Sequence, residues 1–212
     1  MIIKVFTFNA YSENTYLLYD ESAECAIIDP GCYTKHEQDK LVDFVTQQNL
    51  KPVLLLNTHC HIDHVLGNNF VAKKYNLLPQ YAKEEIPVLK AVVVYAPNQG
   101  FRYDESPEAT TYIKEGDAIC FGNIKMEIFF TPGHSPGSLS FYHQDSKTLV
   151  AGDVIFASSI GRTDLPGGDY QTLLNSIKNK LMSLPDDIRV YPGHGPSTTI
   201  GRERKSNPFL NP

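Results

Sequence analysis

The feature that most constrains this chain is a run of metal-binding side-chain types directly after an apolar segment. The run spans residues 59–64 and contains His59, His61, Asp63 and His64. The apolar residues Val53–Leu56 before it predict a short buried strand, so the run lies on the loop that leaves a sheet edge. Burying so many polar side chains without an ion would leave several of them unpaired. The segment therefore predicts a metal site.

The spacing divides this run into two pairs. His59 and His61 are alternate residues of an extended stretch, so their side chains can converge on one ion. Asp63 and His64 follow after the chain turns and face a second direction. Cys60 lies between two of these residues, which suggests a nucleophile or a ligand, but alternation points it away from its neighbours. We therefore predict that Cys60 packs in the interior.

Three further candidates occur downstream in matching places. His134 lies in TPGHSPGS, Asp153 in AGD and His194 in PGHG, each directly after a predicted apolar strand. Glycine lets the backbone approach a site closely, and proline stiffens a turn. We expect the ends of four strands to meet at one rim. The remaining histidines, His36 and His143, have polar neighbours and are predicted at the surface.

The rest of the chain predicts strands alternating with helices. Helices are expected at Lys35–Gln48, Asn68–Tyr75 and Tyr170–Leu181, with Asp169 as the N-cap of the last. Glu84–Ala96 is left between helix and strand, because Val92–Val94 is β-branched. Strands are expected within residues 3–8, 16–19, 26–28, 53–56, 118–121, 125–130, 138–142, 148–151 and 189–191.

These elements suggest two β layers with helices outside them. No linker or repeat is visible, so residues 1–212 are predicted to form a single domain. The polar tail from Gly201 is predicted to be loosely held.

Composition narrows the class of protein. Apolar residues make up 42% of the 212, enough for a sizeable core, and the formal charge is −5. No Lys/Arg cluster is present, so nucleic acid is not an expected partner. The apolar runs are too short to span a bilayer, and the N-terminus lacks a signal-peptide pattern. With four scattered cysteines (Cys25, Cys32, Cys60 and Cys120), a cytoplasmic protein with reduced thiols and no membrane partner is expected.

The pattern His-x-His-x-Asp-His, followed by three isolated candidates, resembles the metallo-β-lactamase superfamily in order and spacing. The resemblance implies an α+β chain folded as a four-layer αβ/βα sandwich with two divalent transition-metal ions at one edge. On that pattern the first ion is held by His59, His61 and His134, the second by Asp63, His64 and His194, and Asp153 bridges both. Such ligands suit zinc, iron or manganese, and zinc is the default expectation.

With a carboxylate at the bridging position, the chain resembles hydrolases of the glyoxalase II type. True β-lactamases usually carry Ser or Cys near that position. The segments GRTDLPGGD, ENTYLLYD and RERKSNPFL look like those of compact bacterial glyoxalase II-like proteins. The resemblance implies a thioester hydrolase, similar to hydroxyacylglutathione hydrolase, in which a metal-bridging hydroxide attacks the carbonyl of a small-molecule thioester. Asp63 and Asp153 are its expected catalytic carboxylates.

One departure concerns the thiol portion of the substrate. Full-length glyoxalase II carries an added helical region with basic residues for glutathione, and this chain stops eighteen residues after His194. We therefore expect weak binding of S-lactoylglutathione. Arg162 and Asp164 form either a structural salt bridge or a substrate contact near the metal rim.

Three alternatives remain at this point. Persulfide dioxygenases use the same fold and motif with one iron, and they share a GRTD-like segment. A nuclease of the tRNA-processing kind uses the same ligands but usually carries an RNA-gripping arm. A non-enzymatic metal-binding module would close the coordination sphere with protein ligands. The acyl group, the thiol and the oligomeric state are not determined by the sequence.

Overall fold

The computed structural model describes residues 1–211, which form two mixed β-sheets, a two-stranded ribbon and six α-helices. The strands are β1 (Ile2–Phe8), β2 (Glu13–Tyr19), β3 (Glu24–Ile28), β4 (Lys51–Leu56), β5 (Pro79–Gln80), β6 (Ala118–Phe121), β7 (Ile124–Phe130), β8 (Leu139–His143), β9 (Thr148–Gly152), β10 (Ile155–Phe156), β11 (Ser159–Ile160), β12 (Arg189–Pro192) and β13 (Thr198–Thr199). The helices are α1 (Lys35–Gln47), α2 (Ile62–Val65), α3 (Asn68–Tyr75), α4 (Ile86–Tyr95), α5 (Tyr170–Asn179) and α6 (Ile200–Ser206). Short 3₁₀ turns lie at Lys83–Glu85, Ala96–Gln99 and Leu181–Ser183.

Each large sheet contains both parallel and antiparallel pairs. The first has the order β1-β2-β3-β4-β5, and the second β13-β12-β9-β8-β7-β6. The pairs β3/β4, β4/β5 and β9/β12 are parallel, and the remaining pairs are antiparallel. Parallel neighbours end at the same edge of a sheet. The C-terminal ends of β4 and β5 therefore lie side by side, and so do those of β9 and β12.

The two sheets pack face to face around one apolar core. Leu18 and Ile28 of the first sheet meet Met126 and Phe141 of the second, and all four are buried. Because helices cover the opposite faces, β8 and β9 are buried on both sides along their whole length.

Helices cover the outer face of each sheet. Leu41 of α1 and Val71 of α3 pack against the first sheet. Leu173 of α5 and Ile200 of α6 pack against the second. The predicted four-layer αβ/βα sandwich is confirmed.

Most helix predictions are confirmed, and the undecided segment is helical. α1 and α3 lie as predicted, and Asp169 caps α5 by accepting from the Thr172 backbone N–H. Glu84–Ala96, for which the sequence did not decide between helix and strand, contains α4, although Val92–Val94 is β-branched. Burial of Leu89 and Val92 in an apolar cluster outweighs the small helix preference lost by branching.

The prediction of a loosely held tail from Gly201 is wrong. The tail forms α6, and its polar residues Glu203 and Asn207 are fully buried. Glu203 accepts from the Ser158 backbone N–H, and the Asn207 amide donates to the Ser159 carbonyl oxygen at 3.0 Å. These polar side chains therefore hold the β10–β11 hairpin instead of facing water.

The surface prediction for His143 is also wrong, while His36 is exposed as predicted. His143 ends β8, which lies between β7 and β9, and it is only 7% exposed. Its Nδ1 lies 2.7 Å from Ser146 Oγ, and burial lowers its pKa. The four cysteines are free thiols, and Cys120 is the exposed one. In residues 1–211, no helix has the length and apolar character needed to cross a membrane.

Candidate metal centre

The four strand ends named by the sequence meet at one edge of the sandwich. The loop after β4 carries residues 59–64, and His134, Asp153 and His194 follow β7, β9 and β12. Their side chains lie within a few ångströms of one another. The predicted convergence on one rim is therefore observed.

Three histidines form the first group of donor atoms. One ring nitrogen each from His59, His61 and His134 lies within 4.8 Å of the others. His61 Nδ1 is 2.9 Å from His134 Nε2. The group can hold one ion through nitrogen alone.

The second group adds a carboxylate. Donor atoms of Asp63, His64 and His194 lie within 4.8 Å, with His194 Nε2 at 3.1 Å from Asp63 Oδ2. Asp153 lies between the two groups. Its Oδ1 is 3.6 Å from His64 Nε2, and its Oδ2 is 3.6 Å from His134 Nε2. Asp153 can therefore contact an ion in either group.

Several of these donor atoms are buried without a hydrogen-bond partner. Within residues 1–211, His59 Nε2, His64 Nε2 and Asp153 Oδ1 are fully buried and unpaired. A buried unpaired polar group costs about 1–3 kcal/mol. Imidazole nitrogen and carboxylate oxygen are the donors that zinc and similar divalent ions prefer. The residues present thus fit two divalent ions.

Asp29 orients two of the imidazole rings. Its Oδ2 is 3.1 Å from His64 Nδ1 and accepts from Thr58 Oγ1 at 2.6 Å, while its Oδ1 accepts from the Thr58 backbone N–H. Thr58 Oγ1 lies 3.1 Å from His59 Nδ1. Fixing the far nitrogen directs Nε2 of each ring towards the centre. Asp29 was not among the residues singled out from the sequence, although its place directly after a predicted strand was an available signal.

Backbone carbonyls orient two more rings. His134 Nδ1 lies 2.8 Å from the Arg162 carbonyl oxygen, and His194 Nδ1 lies 3.1 Å from that of Tyr11. The Arg162 side chain instead forms two 2.7 Å hydrogen bonds with Asp164, and both side chains are exposed. The structure therefore shows the predicted salt bridge and places Arg162 on the wall of the adjoining cavity.

Glu85 joins two of the candidate ligand loops, and no sequence pattern pointed to it. Its carboxylate accepts from the Cys60 backbone N–H at 2.7 Å, from Ser135 Oγ at 2.5 Å and from the Gly137 backbone N–H at 2.6 Å. Burial raises the pKa of Glu85 above its usual value, and these hydrogen bonds offset part of that rise. Cys60 itself packs in the apolar cluster beneath α4, as predicted.

The N-terminal strands hold the loop of His194. The Asn14 amide donates to the carbonyl oxygens of Pro192 and Gly195, at 3.1 and 2.9 Å. The loop must also pass very close to the centre, because a Cβ on Gly193 would lie 2.0 Å from Asp153 Oδ1. Only glycine fits at that position.

Burial and mutual charge shift the pKa values in this cluster. Burial, with His134 nearby, lowers the pKa of His61 to about 4. Burial also opposes charge on His194, but hydrogen bonds to Asp153 and Asp63 outweigh it and raise its pKa to about 10. Burial opposes charge on Asp153, yet His64 and His194 hold its pKa well below the usual range. Burial therefore disfavours the charged form of His59 and His61 in the first group, whereas the carboxylates favour the charged form of His194 in the second.

A cavity of about 1050 Å³ opens beside the centre. His61, Asp63, Asp153 and His194 lie along its floor, and α4 forms one wall. The cavity is at the upper end of the usual size of small-molecule sites. It gives a substrate direct access to the candidate metal positions.

Comparison with known proteins decides the family. The model of the metallo-beta-lactamase superfamily matches residues 9–194. The chain belongs to the metallo-β-lactamase superfamily. Among curated members of this superfamily, it is 36% identical to hydroxyacylglutathione hydrolase GloC of Haemophilus influenzae, covering 100% of this chain and 99% of that protein. It is also 36% identical to the probable metallo-hydrolase YqgX of Bacillus subtilis, covering 93% and 92%.

Two solved members of the superfamily have nearly the same fold. The crystal structure of BLEG-1 B3 metallo-beta-lactamase has a TM-score of 0.91 at 35% identity and covers 100% of both chains. That of TTHA1623 in a di-iron-bound form has a TM-score of 0.87 at 34% identity, covering 98% of this chain and 100% of that one. This superfamily chain is therefore a metallohydrolase.

Proposed function

We propose that this protein is a binuclear metal-dependent thioester hydrolase. The observation that carries the proposal is the pair of donor groups separated by Asp153, with three buried donor atoms left unpaired. The likeness to hydroxyacylglutathione hydrolase GloC over the full chain supports a thioester as the substrate. A small molecule of this class fits the cavity beside the centre.

In the proposed centre, His59, His61 and His134 would hold one ion, Asp63, His64 and His194 would hold the other, and Asp153 would be available to both. When bound, such ions lower the pKa of a water towards neutrality and polarise a carbonyl oxygen. Zinc is our proposal for the metal, and the di-iron form of TTHA1623 makes iron the main comparison.

The chain's own residues supply the remaining chemistry. Asp63 and Asp153 both face the cavity, so we assign them to orient the attacking water or move its proton. Asp29, Thr58 and two backbone carbonyls fix the imidazole rings. No covalent acyl intermediate is required, because water attacks the thioester carbonyl directly.

Metal analysis beside a substrate panel tests the proposal. We expect close to two transition-metal ions per chain as isolated, with hydrolysis of simple acyl thioesters. His61→Ala should lose hydrolysis and bind fewer ions, whereas the matched control His36→Ala, at an exposed histidine, should retain both. One iron per fully loaded chain, with oxygen uptake on a persulfide, would refute the proposal in favour of a persulfide dioxygenase.

A second candidate function is β-lactam hydrolysis. It is favoured by the likeness to BLEG-1, which is described as a B3 metallo-beta-lactamase. The same centre and cavity would admit a cyclic amide. We rank this candidate below thioester hydrolysis because of Asp153. A carboxylate at this position resembles the glyoxalase II branch of the superfamily.

A further inference from the structure

One wall of the cavity is an apolar face of α4. Pro87, Val88, Ala91 and Tyr95 line the cavity, at the three- and four-residue spacing of one helix face. Pro87 and Ala91 are exposed to solvent in the absence of a ligand, and Val88 and Tyr95 are half-buried. Only the Tyr95 hydroxyl offers a polar side-chain atom on this face. The wall therefore offers mainly apolar contact.

A second part of the cavity lining has the same character. Pro136, Phe156, Leu165 and Pro166 line it, from the loop after β7, the β10–β11 hairpin and the segment after β11. Phe156 packs against the ring of His194, with centroids 6.3 Å apart. The apolar wall thus reaches the centre itself, so that a group attached to the reacting carbonyl would meet it at once.

Positive charge is scarce in the cavity. Of the lysines and arginines in the described chain, Arg162 alone lines it, and two hydrogen bonds engage its guanidinium with Asp164. A glutathione moiety carries two carboxylates, and tight binding of carboxylates relies on charge-assisted hydrogen bonds from basic groups. This cavity offers little for such groups.

We infer that the substrate carries an apolar chain next to the thioester and no carboxylate inside the cavity. The inference rests on the proposed thioester hydrolysis and narrows its substrate class. The apolar chain of the substrate belongs either to the acyl group or to the thiol, and in both cases it would meet the same apolar walls. Each methylene that leaves water for such a wall should raise kcat/KM by roughly two- to fourfold.

Two thioester series test the inference on the metal-loaded protein. The first joins N-acetylcysteamine to straight acyl chains from acetyl to octanoyl; the second joins an acetyl group to alkanethiols of increasing length. We expect kcat/KM to rise at least thirtyfold along one series, which also identifies the side that carries the chain. S-lactoylglutathione should fall below the best member of that series.

The outcomes separate the inference from the proposed function. If every thioester is hydrolysed with a kcat/KM independent of chain length, or if S-lactoylglutathione is preferred over all of them, the apolar substrate is refuted and thioester hydrolysis stands. If no thioester is hydrolysed above the rate of His61→Ala, the proposed function fails, and the inference fails with it.

A variant pair on one helix probes the wall directly. Ala91→Asp places a charge in the cavity at an exposed position, so folding should be unaffected. In the series that shows the rise with chain length, it should lower the ratio of kcat/KM between the longest and the shortest member at least tenfold. Val94→Asp adds the same charge to the same helix at a side chain that is 77% exposed and outside the cavity lining. It should leave the ratio unchanged; an unchanged ratio in Ala91→Asp would overturn the assignment of this wall.

Discussion

Asp29 has more influence on the centre than its place in a turn suggests. It contacts His64 and Thr58 but is separated from them by 35 and 29 residues along the chain. Its backbone is left-handed, with φ of 50°. Asparagine tolerates that conformation, so a change to Asn alters the hydrogen bonding and leaves the backbone unstrained.

Asp29→Asn should weaken metal binding. An amide cannot accept from Thr58 and from His64 as the carboxylate does, so the ring of His64 loses its fixed orientation. We expect metal affinity to fall about 10- to 100-fold, measured by competition with a chromogenic chelator. Asp39→Asn, at a half-exposed carboxylate on α1, is the matched control and should bind metal normally. Equal affinity in both variants would contradict the orienting role.

Glu85→Gln should loosen two ligand loops together. Three donors converge on this buried carboxylate, and the glutamine amide nitrogen cannot accept from any of them. The free energy of unfolding should fall by about 1–3 kcal/mol, measured by chemical denaturation. Glu84→Gln, at the exposed neighbouring position, should change it little. A normal stability in Glu85→Gln would show that the three contacts are dispensable.

The sequence predicted the seven candidate ligands because their side-chain types stand in one dense run and at three similar strand ends. It did not predict Asp29 or Glu85. Each acts on residues brought near only by the folded chain, and a lone acidic residue in a turn or before a helix is ordinary. His143 was misplaced for a related reason: its neighbours in sequence are polar, but the pairing of β8 with β9 buries it.

Among the elements, α6 departs most from expectation. Polar composition predicted a loose tail, but Thr199 caps this helix and its polar side chains satisfy the backbone of the β10–β11 hairpin. A polar segment is expected at the surface only when no buried backbone group needs its side chains as hydrogen-bond partners. The hairpin carries Phe156, so α6 supports a wall of the cavity from behind.

Asn207→Ala should disturb that wall without touching the centre. It removes the hydrogen bonds to the Ser159 carbonyl oxygen and to Glu203. Leaving such groups unpaired should cost about 1–3 kcal/mol of stability. We expect KM for the preferred thioester to rise more than kcat falls, in steady-state assays at full metal loading. Lys205→Ala, at an exposed residue of the same helix, controls for loss of a polar side chain; matching kinetics in the two variants would argue against the supporting role.

For the whole molecule, the class of fold was predictable because the metal pattern resembles one superfamily, and the layers follow from alternating strands and helices. The strand order was not predictable. It depends on the parallel pairing of β9 with β12 across a long stretch that contains the hairpin and α5. Such pairings are set by packing between the layers rather than by local preference.

We expect β-lactam antibiotics to be poor substrates of this protein. The fold matches BLEG-1 over its full length, so the fold alone does not exclude lactam hydrolysis. We expect kcat/KM for a chromogenic cephalosporin to be at least a hundredfold below that for the best thioester, a difference of about 2.7 kcal/mol. Both substrates should be measured on one metal-loaded preparation, with His61→Ala as the blank. Comparable rates would place the chain in the lactam-hydrolysing branch.

The contact between Asn14 and the loop of His194 has a consequence for synthesis. Asn14 and Gly195 are 181 residues apart in sequence yet share a hydrogen bond. At 5–20 residues per second, a ribosome needs roughly 9–36 s to pass from one to the other. Once residue 64 has been made, the nascent chain displays Asp63 and His64 but lacks His194, the last member of the second group, until β12 has been made. An ion captured there early would be held by an incomplete set of donors, so we expect the second ion to bind after the arrival of β12 rather than to guide the folding of the first sheet.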